Sequence, residues 1–127
     1  MIQSVSYLPV KAAALDATDT STEVDLGPYI NVGHQAVYGG WAPGITGADT
    51  DETYACKFTE SADTVDTNFS DVTNGAFTSL TQESTLAVEM IKFVPTKRYI
   101  KAVHTLAGTT PTITTFVGLI LSPRFDT

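Results

Sequence analysis

Few residues in this chain could carry chemistry, and their spacing limits what that chemistry could be. The nucleophile and base candidates are Cys56, His34 and His104, set among carboxylates that crowd the first two thirds of the chain. A nucleophilic triad needs a Ser or Cys, a His base and an orienting carboxylate that meet in space. Composition allows one, but the chain has no nucleophile elbow of the form G-x-S-x-G. His104 continues an alternation with Ile100 and Ala102, which predicts a structural or surface histidine on a strand. Cys56 stands between Tyr54 and Phe58 on an apolar face, where a free thiol acts as a small hydrophobe. The run Asp49-Thr50-Asp51-Glu52 gathers oxygen ligands of the kind calcium takes. It lacks the spacing and central Gly of the helix-loop-helix calcium site, so an acidic loop is expected. Two His and one Cys give no zinc spacing, and there is neither a phosphate loop nor a dinucleotide fingerprint. No catalytic residue, metal or cofactor is assigned, and a non-enzymatic role is expected.

What remains is aromatic. Tyr29, Ile30, Tyr38 and Trp41, the one Trp, lie in the uncharged segment Leu26 to Ala48 among six glycines and two prolines. Aromatics on a Gly-rich loop can anchor a protein interface or stack on a sugar. They can equally plug the end of a small sandwich, and the residues alone leave the three open.

The elements that must position these groups read as strands. Thr, Val and Ile number 39, against 25 for Leu, Glu, Lys, Gln, Arg and Met, and branching at Cβ suits a pleated surface. Val10 to Leu15 and Thr22 to Leu26 are weak strand candidates, and His34 to Tyr38 is a short one between glycines. Tyr54, Cys56 and Phe58 alternate with Ala55, Lys57 and Thr59 as in a half-buried strand. Asp63 to Gly75 reads as loop, with Asn74-Gly75 a turn ahead of a strand over Ala76 to Thr81. Leu86, Val88 and Met90 alternate with Ala87 and Glu89, and Pro95 ends that strand. Arg98 to Leu106 and Thr112 to Leu121 are joined across Gly108 to Pro111. In the second of these, Phe116 to Leu121 is apolar on both faces, which predicts core on one side and another layer or subunit on the other. About eight short strands argue for an all-β antiparallel sandwich of jelly-roll type, with residues 1–20 an N-terminal arm or edge strand and 21–127 the sandwich.

Length and charge bound the partners. A chain of 127 residues supports one domain with a core that needs no disulfide, and the lone Cys56 could form no internal bridge. The net charge of -7 argues against nucleic acid, whose phosphates require Lys and Arg. Neither uncharged stretch, Leu26 to Ala48 or Ala102 to Pro123, resembles a membrane span, because Gly, Pro and Thr interrupt both. Met1 to Leu8 has no basic n-region, so no signal peptide is expected and synthesis is expected in the cytoplasm. Asn68-Phe69-Ser70 matches the glycosylation pattern but is then expected to stay unused. Residues 16–89 sum to -12 and residues 90–127 to +4. This predicts either solvated acidic loops or a two-faced molecule with a basic docking side.

Three stretches, EVDLGPYINVG from Glu23, YACKFTESADTVDTNFSDVTNGAFT from Tyr54 and KRYIKAVHTLAGTTPTITTFVGLILSPR from Lys97, resemble small head proteins of tailed bacteriophages. The likeness is to the jelly-roll capsid cement or decoration proteins and runs from Asp25 to Arg124. Its most specific element is Lys97-Arg98-Tyr99-Ile100 followed by Ala107-Gly108-Thr109. The family has an R-Y-hydrophobic-R strand and a G-T turn there, with Lys101 in the second basic place. Gly39 to Gly47 departs from the family pattern. The resemblance implies a virion protein that docks on the major capsid protein across capsomer junctions, as a homodimer or homotrimer. It makes Lys97, Arg98 and Lys101 interface candidates, alongside Tyr29, Tyr38, Trp41 and Phe116. The competing expectation is a receptor-binding or carbohydrate-binding module in which Trp41, Tyr38 and Tyr29 form a sugar platform.

Overall fold

A computed structural model describes residues 6–84 and 88–121. Ten strands follow in chain order: β1 Ser6–Leu15, β2 Asp19–Thr20, β3 Val24–Asp25, β4 Val37–Ile45, β5 Thr53–Ser61, β6 Ser70–Ala76, β7 Leu80–Thr81, β8 Glu89–Phe93, β9 Tyr99–Ala107 and β10 Ile113–Leu121. The first sheet runs β1-β10-β4-β8 and the second β2-β9-β5-β6, with β3 also on β9 and β7 also on β5. Every pairing is antiparallel. Taken as two interrupted strands, β2 with β3 and β6 with β7 reduce the ten to eight, which pass between the sheets at every connection but β5 to β6, in the jelly-roll order. The protein is an all-β sandwich, as its β-branched composition predicts. No helix among the described residues is long and apolar enough to cross a membrane.

The core is formed by inward alternation from both sheets. Tyr54, Cys56 and Phe58 of β5 are buried, as the period-2 pattern predicts, and they meet Val37, Trp41, Val117 and Leu119 from the first sheet in one cluster. Phe58 packs on Phe77 at 5.6 Å and on Phe93 at 5.2 Å between ring centroids, and Phe77 in turn on Trp41 at 5.6 Å. Gly39 makes room for this stack, since a Cβ there would lie 2.5 Å from Phe58 Cε2 and 3.2 Å from Phe93.

Several elements differ from the expectation. The Gly-rich segment is no loop: β4 starts at Val37, continues through Gly39, Gly40 and Gly44, and pairs with β10 over its whole length. His34 lies in the preceding turn, its N–H donating to Asn31 O at 3.0 Å. Asp63 to Gly75, expected as loop, contains a 3-10 turn at Asp66–Asn68 and then β6. Asn74 does take the left-handed conformation, at φ 61°, but as a bulge within β6 on β5 rather than as a hairpin turn. Ala76 to Thr81 is accordingly split between the end of β6 and β7. In β8 the alternation holds with its faces exchanged: Met90 is exposed, whereas Phe93 is buried and Ile91 half-buried. Leu86, part of that pattern, lies outside the described residues.

Candidate functional site

The outer face of the first sheet follows from the register. Side chains of alternate residues share a face, so the outward set can be read across the four strands in rows. One row is Tyr7, Ile120, Tyr38 and Lys92; the next is Pro9, Gly118, Gly40 and Met90; the third is Ala12, Phe116 and Ala42; the last is Ala14, Thr114 and Gly44. Lys92 is the one charge in these rows, and its ammonium lies 5.8 Å from the Tyr38 ring centroid. Tyr7 and Phe116 stack with centroids 6.1 Å apart and planes 16° from parallel. Tyr7 lies over Gly118, where a Cβ would come within 2.5 Å of its ring, so the ring occupies the space a larger residue would fill.

Tyr7, Val88, Met90, Phe116 and Ile120 surround a hollow of about 210 Å³ floored by Gly40, Ala42 and Gly118. Phe116 is 47% exposed, Tyr7 51%, Met90 46% and Val88 64%, so large apolar side chains gather in contact with solvent on one face. Such a grouping marks an interaction surface more often than a scatter of single residues does. The hollow is smaller than the roughly 300 Å³ at which small-molecule pockets begin, and its walls are almost wholly carbon. Its chemistry suits the apolar anchor of a partner protein.

The sequence candidates divide. Phe116 and Tyr38 lie on this face. Tyr29 is half-exposed on the turn after β3, where its N–H donates to Leu26 O at 3.0 Å. Trp41, offered as an interface or sugar-stacking residue, is 1% exposed: it faces inward from β4, and its Nε1–H donates to Thr115 Oγ1 at 3.0 Å. Of the three aromatic roles left open, Trp41 fills the core. Lys97 is exposed between β8 and β9. Arg98 is occupied by Asp25 in a two-bond pairing, Nε to Oδ1 at 2.8 Å and a terminal nitrogen to Oδ2 at 2.7 Å, and this guanidinium holds the Asp25 carboxyl below its usual range. Lys101 is buried, paired with Asp66 and placed 4.5 Å from the Phe69 ring centroid. The basic strand is therefore no free positive face, because Asp25 and Asp66 already meet two of its three cations.

The nucleophile and base candidates are disposed against catalysis. Cys56 and His104 are direct cross-strand partners, but both are buried. Burial pushes the Cys56 thiol up to about 12 and the His104 imidazole down to about 4, keeping both neutral, the reverse of an activated Cys-His pair. His34 is exposed on its turn. Asp49, Asp51 and Glu52 bring one oxygen each within 4.8 Å of one another, an oxygen set of the type a hard cation accepts. Each is already engaged. Thr109 Oγ1 donates to Asp51 at 2.6 Å, Thr110 Oγ1 to Asp49, and the Tyr54 hydroxyl to the fully buried Glu52 at 2.9 Å. Gly108, at φ +115°, passes so close that a Cβ would lie 2.7 Å from Glu52 Cα. The acidic loop thus fastens the β4–β5 connection to the β9–β10 connection.

Tyr7, Val88, Met90 and Ile120 were not among the sequence candidates. The available signal was the outward half of β4, Tyr38, Gly40, Ala42 and Gly44, which carries no charge and no long polar side chain.

No protein-family model matches the chain, and no curated protein is significantly similar to it. Among solved structures, it is similar to a chain of endo-1,4-beta-D-xylanase 10B from Clostridium thermocellum, comprising CBM22-1 and GH10 modules in complex with xylohexaose. The TM-score is 0.50 at 8% identity, covering 95% of this chain and 27% of that one. This likeness is one of fold, and the chain spans about a quarter of the protein it matches. Fold and face together define a β-sandwich with a partly apolar sheet surface that carries Lys92 as its one charge.

Proposed function

We propose that the protein is a non-enzymatic structural component of a phage virion that binds the outside of the capsid shell across capsomer junctions, using the outer face of the first sheet. The single observation that carries this reading is the stacked Tyr7–Phe116 pair beside the uncharged Gly40–Gly118 hollow. The resemblance to cement proteins supplies the partner, the major capsid protein. Docking needs area and repetition rather than bond chemistry: modest contacts of roughly 800 Å² per partner suffice when a homodimer or homotrimer engages several capsomers at high effective concentration. Phe116 and Tyr7 are the anchors in this reading, with Lys92, the one cation on this face, steering the approach.

The test is co-sedimentation with purified head shells. The wild-type protein is expected to pellet with shells, while Phe116→Asp loses at least about tenfold in affinity and keeps its unfolding midpoint, because the residue is half-exposed. Undiminished occupancy by Phe116→Asp would remove this face from the contact. The second reading, a carbohydrate-binding module, is favoured by the fold likeness to a chain complexed with xylohexaose. The buried Trp41 cannot serve as its platform, and the carbon-walled hollow offers few partners to sugar hydroxyls, so a sugar would have to bind elsewhere.

A further inference from the structure

The opposite side of the sandwich carries a groove of different character. On the outer face of the second sheet, the polar run 20–22, Glu23, Thr59, Lys101, Asp66 and Phe69 enclose about 510 Å³, within the range of small-ligand sites. Two of its residues are built in rather than waving in solvent. Lys101 is 5% exposed and is held between Asp66 and the Phe69 ring. Thr59 is 7% exposed, and its hydroxyl oxygen has no hydrogen-bond partner among the described residues. An unpaired buried hydroxyl is costly to leave unsatisfied, and the residue that carries this one lines the groove.

The charges select the ligand. One cation, Lys101, faces two carboxylates, Asp66 and Glu23, so the groove is slightly negative and disfavours phosphate, sulfate or carboxylate ligands. A ligand with many neutral hydroxyls can both donate to the carboxylates and accept from Lys101 and Thr59, while its ring carbons lie on Phe69 and Val103. We propose that this groove is a subsite for a neutral saccharide. The proposal deepens the carbohydrate reading and is independent of the capsid reading, since the two sheets turn their outer faces in opposite directions and both could be occupied at once.

The test is titration of the isotope-labelled protein with xylohexaose, cellohexaose and maltohexaose to about 10 mM, with trigalacturonate as an anionic control, read by amide NMR shifts. The expected result is saturable shifts around Thr59, Phe69 and Lys101 with at least one neutral probe. Thr59→Val should weaken that binding roughly five- to tenfold, the worth of one hydrogen bond, while leaving the unfolding midpoint unchanged or higher because it removes an unpaired buried hydroxyl. Absence of shifts with every neutral probe, shifts on the Tyr7–Phe116 face, tighter binding of trigalacturonate, or full affinity in a folded Thr59→Val protein would each overturn it. Loss of capsid binding in Phe116→Asp leaves this result untouched, so the two proposals fail separately.

Discussion

At the scale of single residues, the most consequential group is the hydrogen-bonded relay that crosses the core. Trp41 Nε1–H donates to Thr115 Oγ1 at 3.0 Å, and that hydroxyl lies 2.8 Å from His104 Nε2. With Thr115 accepting from Trp41, its own proton points to Nε2, which leaves the imidazole proton on Nδ1, where no partner is found among the described residues. Burial therefore holds the His104 pKa at about 4, against 6.5 for a free imidazole. Above pH 6.5 the ring is neutral in folded and unfolded chains alike, and pH has no leverage through it. Below 6.5 the unfolded chain takes up a proton that the folded one refuses, so stability falls from about pH 6.5 down to about 4, by on the order of 3 kcal/mol in all. Asp25, Asp51 and Asp63 are held low by Arg98, by the Thr109 hydroxyl and by the Val65 N–H respectively, and their losses come only as pH approaches and passes below 3.8. Urea unfolding between pH 7.5 and 4.5 should show the histidine loss, and His104→Leu should abolish it; a flat profile in the wild type would refute the account of this ring.

At the scale of elements, β4 shows how one strand serves two surfaces. Its inward residues Val37, Gly39 and Trp41 pack the core, while its outward residues Tyr38, Gly40, Ala42 and Gly44 keep the sheet face low and uncharged. Glycine has a different task on each side. Gly39→Ala should destabilise by about 1–3 kcal/mol, because the methyl meets Phe58 and Phe93 in a packed core. Gly44→Ala, whose Cβ would meet only Thr114 O at 3.5 Å and Thr114 Cβ at 3.7 Å, should be neutral or stabilising by up to about 1 kcal/mol through the unfolded state. Thermal unfolding of the two variants checks this, and equal effects would contradict the assignment of faces.

The same strand explains what could be read in advance. The β5 alternation was legible because Tyr54, Cys56 and Phe58 differ sharply from the residues between them, so burial and pattern coincide. β4 was not, because glycines and alanines carry little strand propensity and read as loop until β8 and β10 pair with them. β6 was hidden by Asn74-Gly75, whose local conformation was anticipated correctly but serves a bulge. The candidate face was only partly visible, through Tyr38 and Phe116, since Tyr7 joins Phe116 only when the two ends of the chain pair as β1 and β10. Local patterns carry alternation; they do not carry which strands become neighbours.

At the scale of the whole molecule, the charge asymmetry of the sequence is partly folded back on itself. The acids of residues 16–89 and the bases of residues 90–127 meet in Asp25–Arg98 and Asp66–Lys101, so Arg98 and Lys101 do not add to an outward basic side. What distinguishes the two sides of the sandwich is polarity: a partly apolar sheet face with Lys92 as its one charge on one, a hydroxyl-rich groove on the other. That difference gives the docking proposal an orientation. The measurement that tests it most directly is an image reconstruction of decorated heads at a resolution sufficient to orient a sandwich. The account predicts density for this protein at capsomer junctions with Tyr7, Phe116 and Met90 against the shell and the second sheet turned outward. A head that lacks the protein, or one that it contacts through the second sheet, would contradict it.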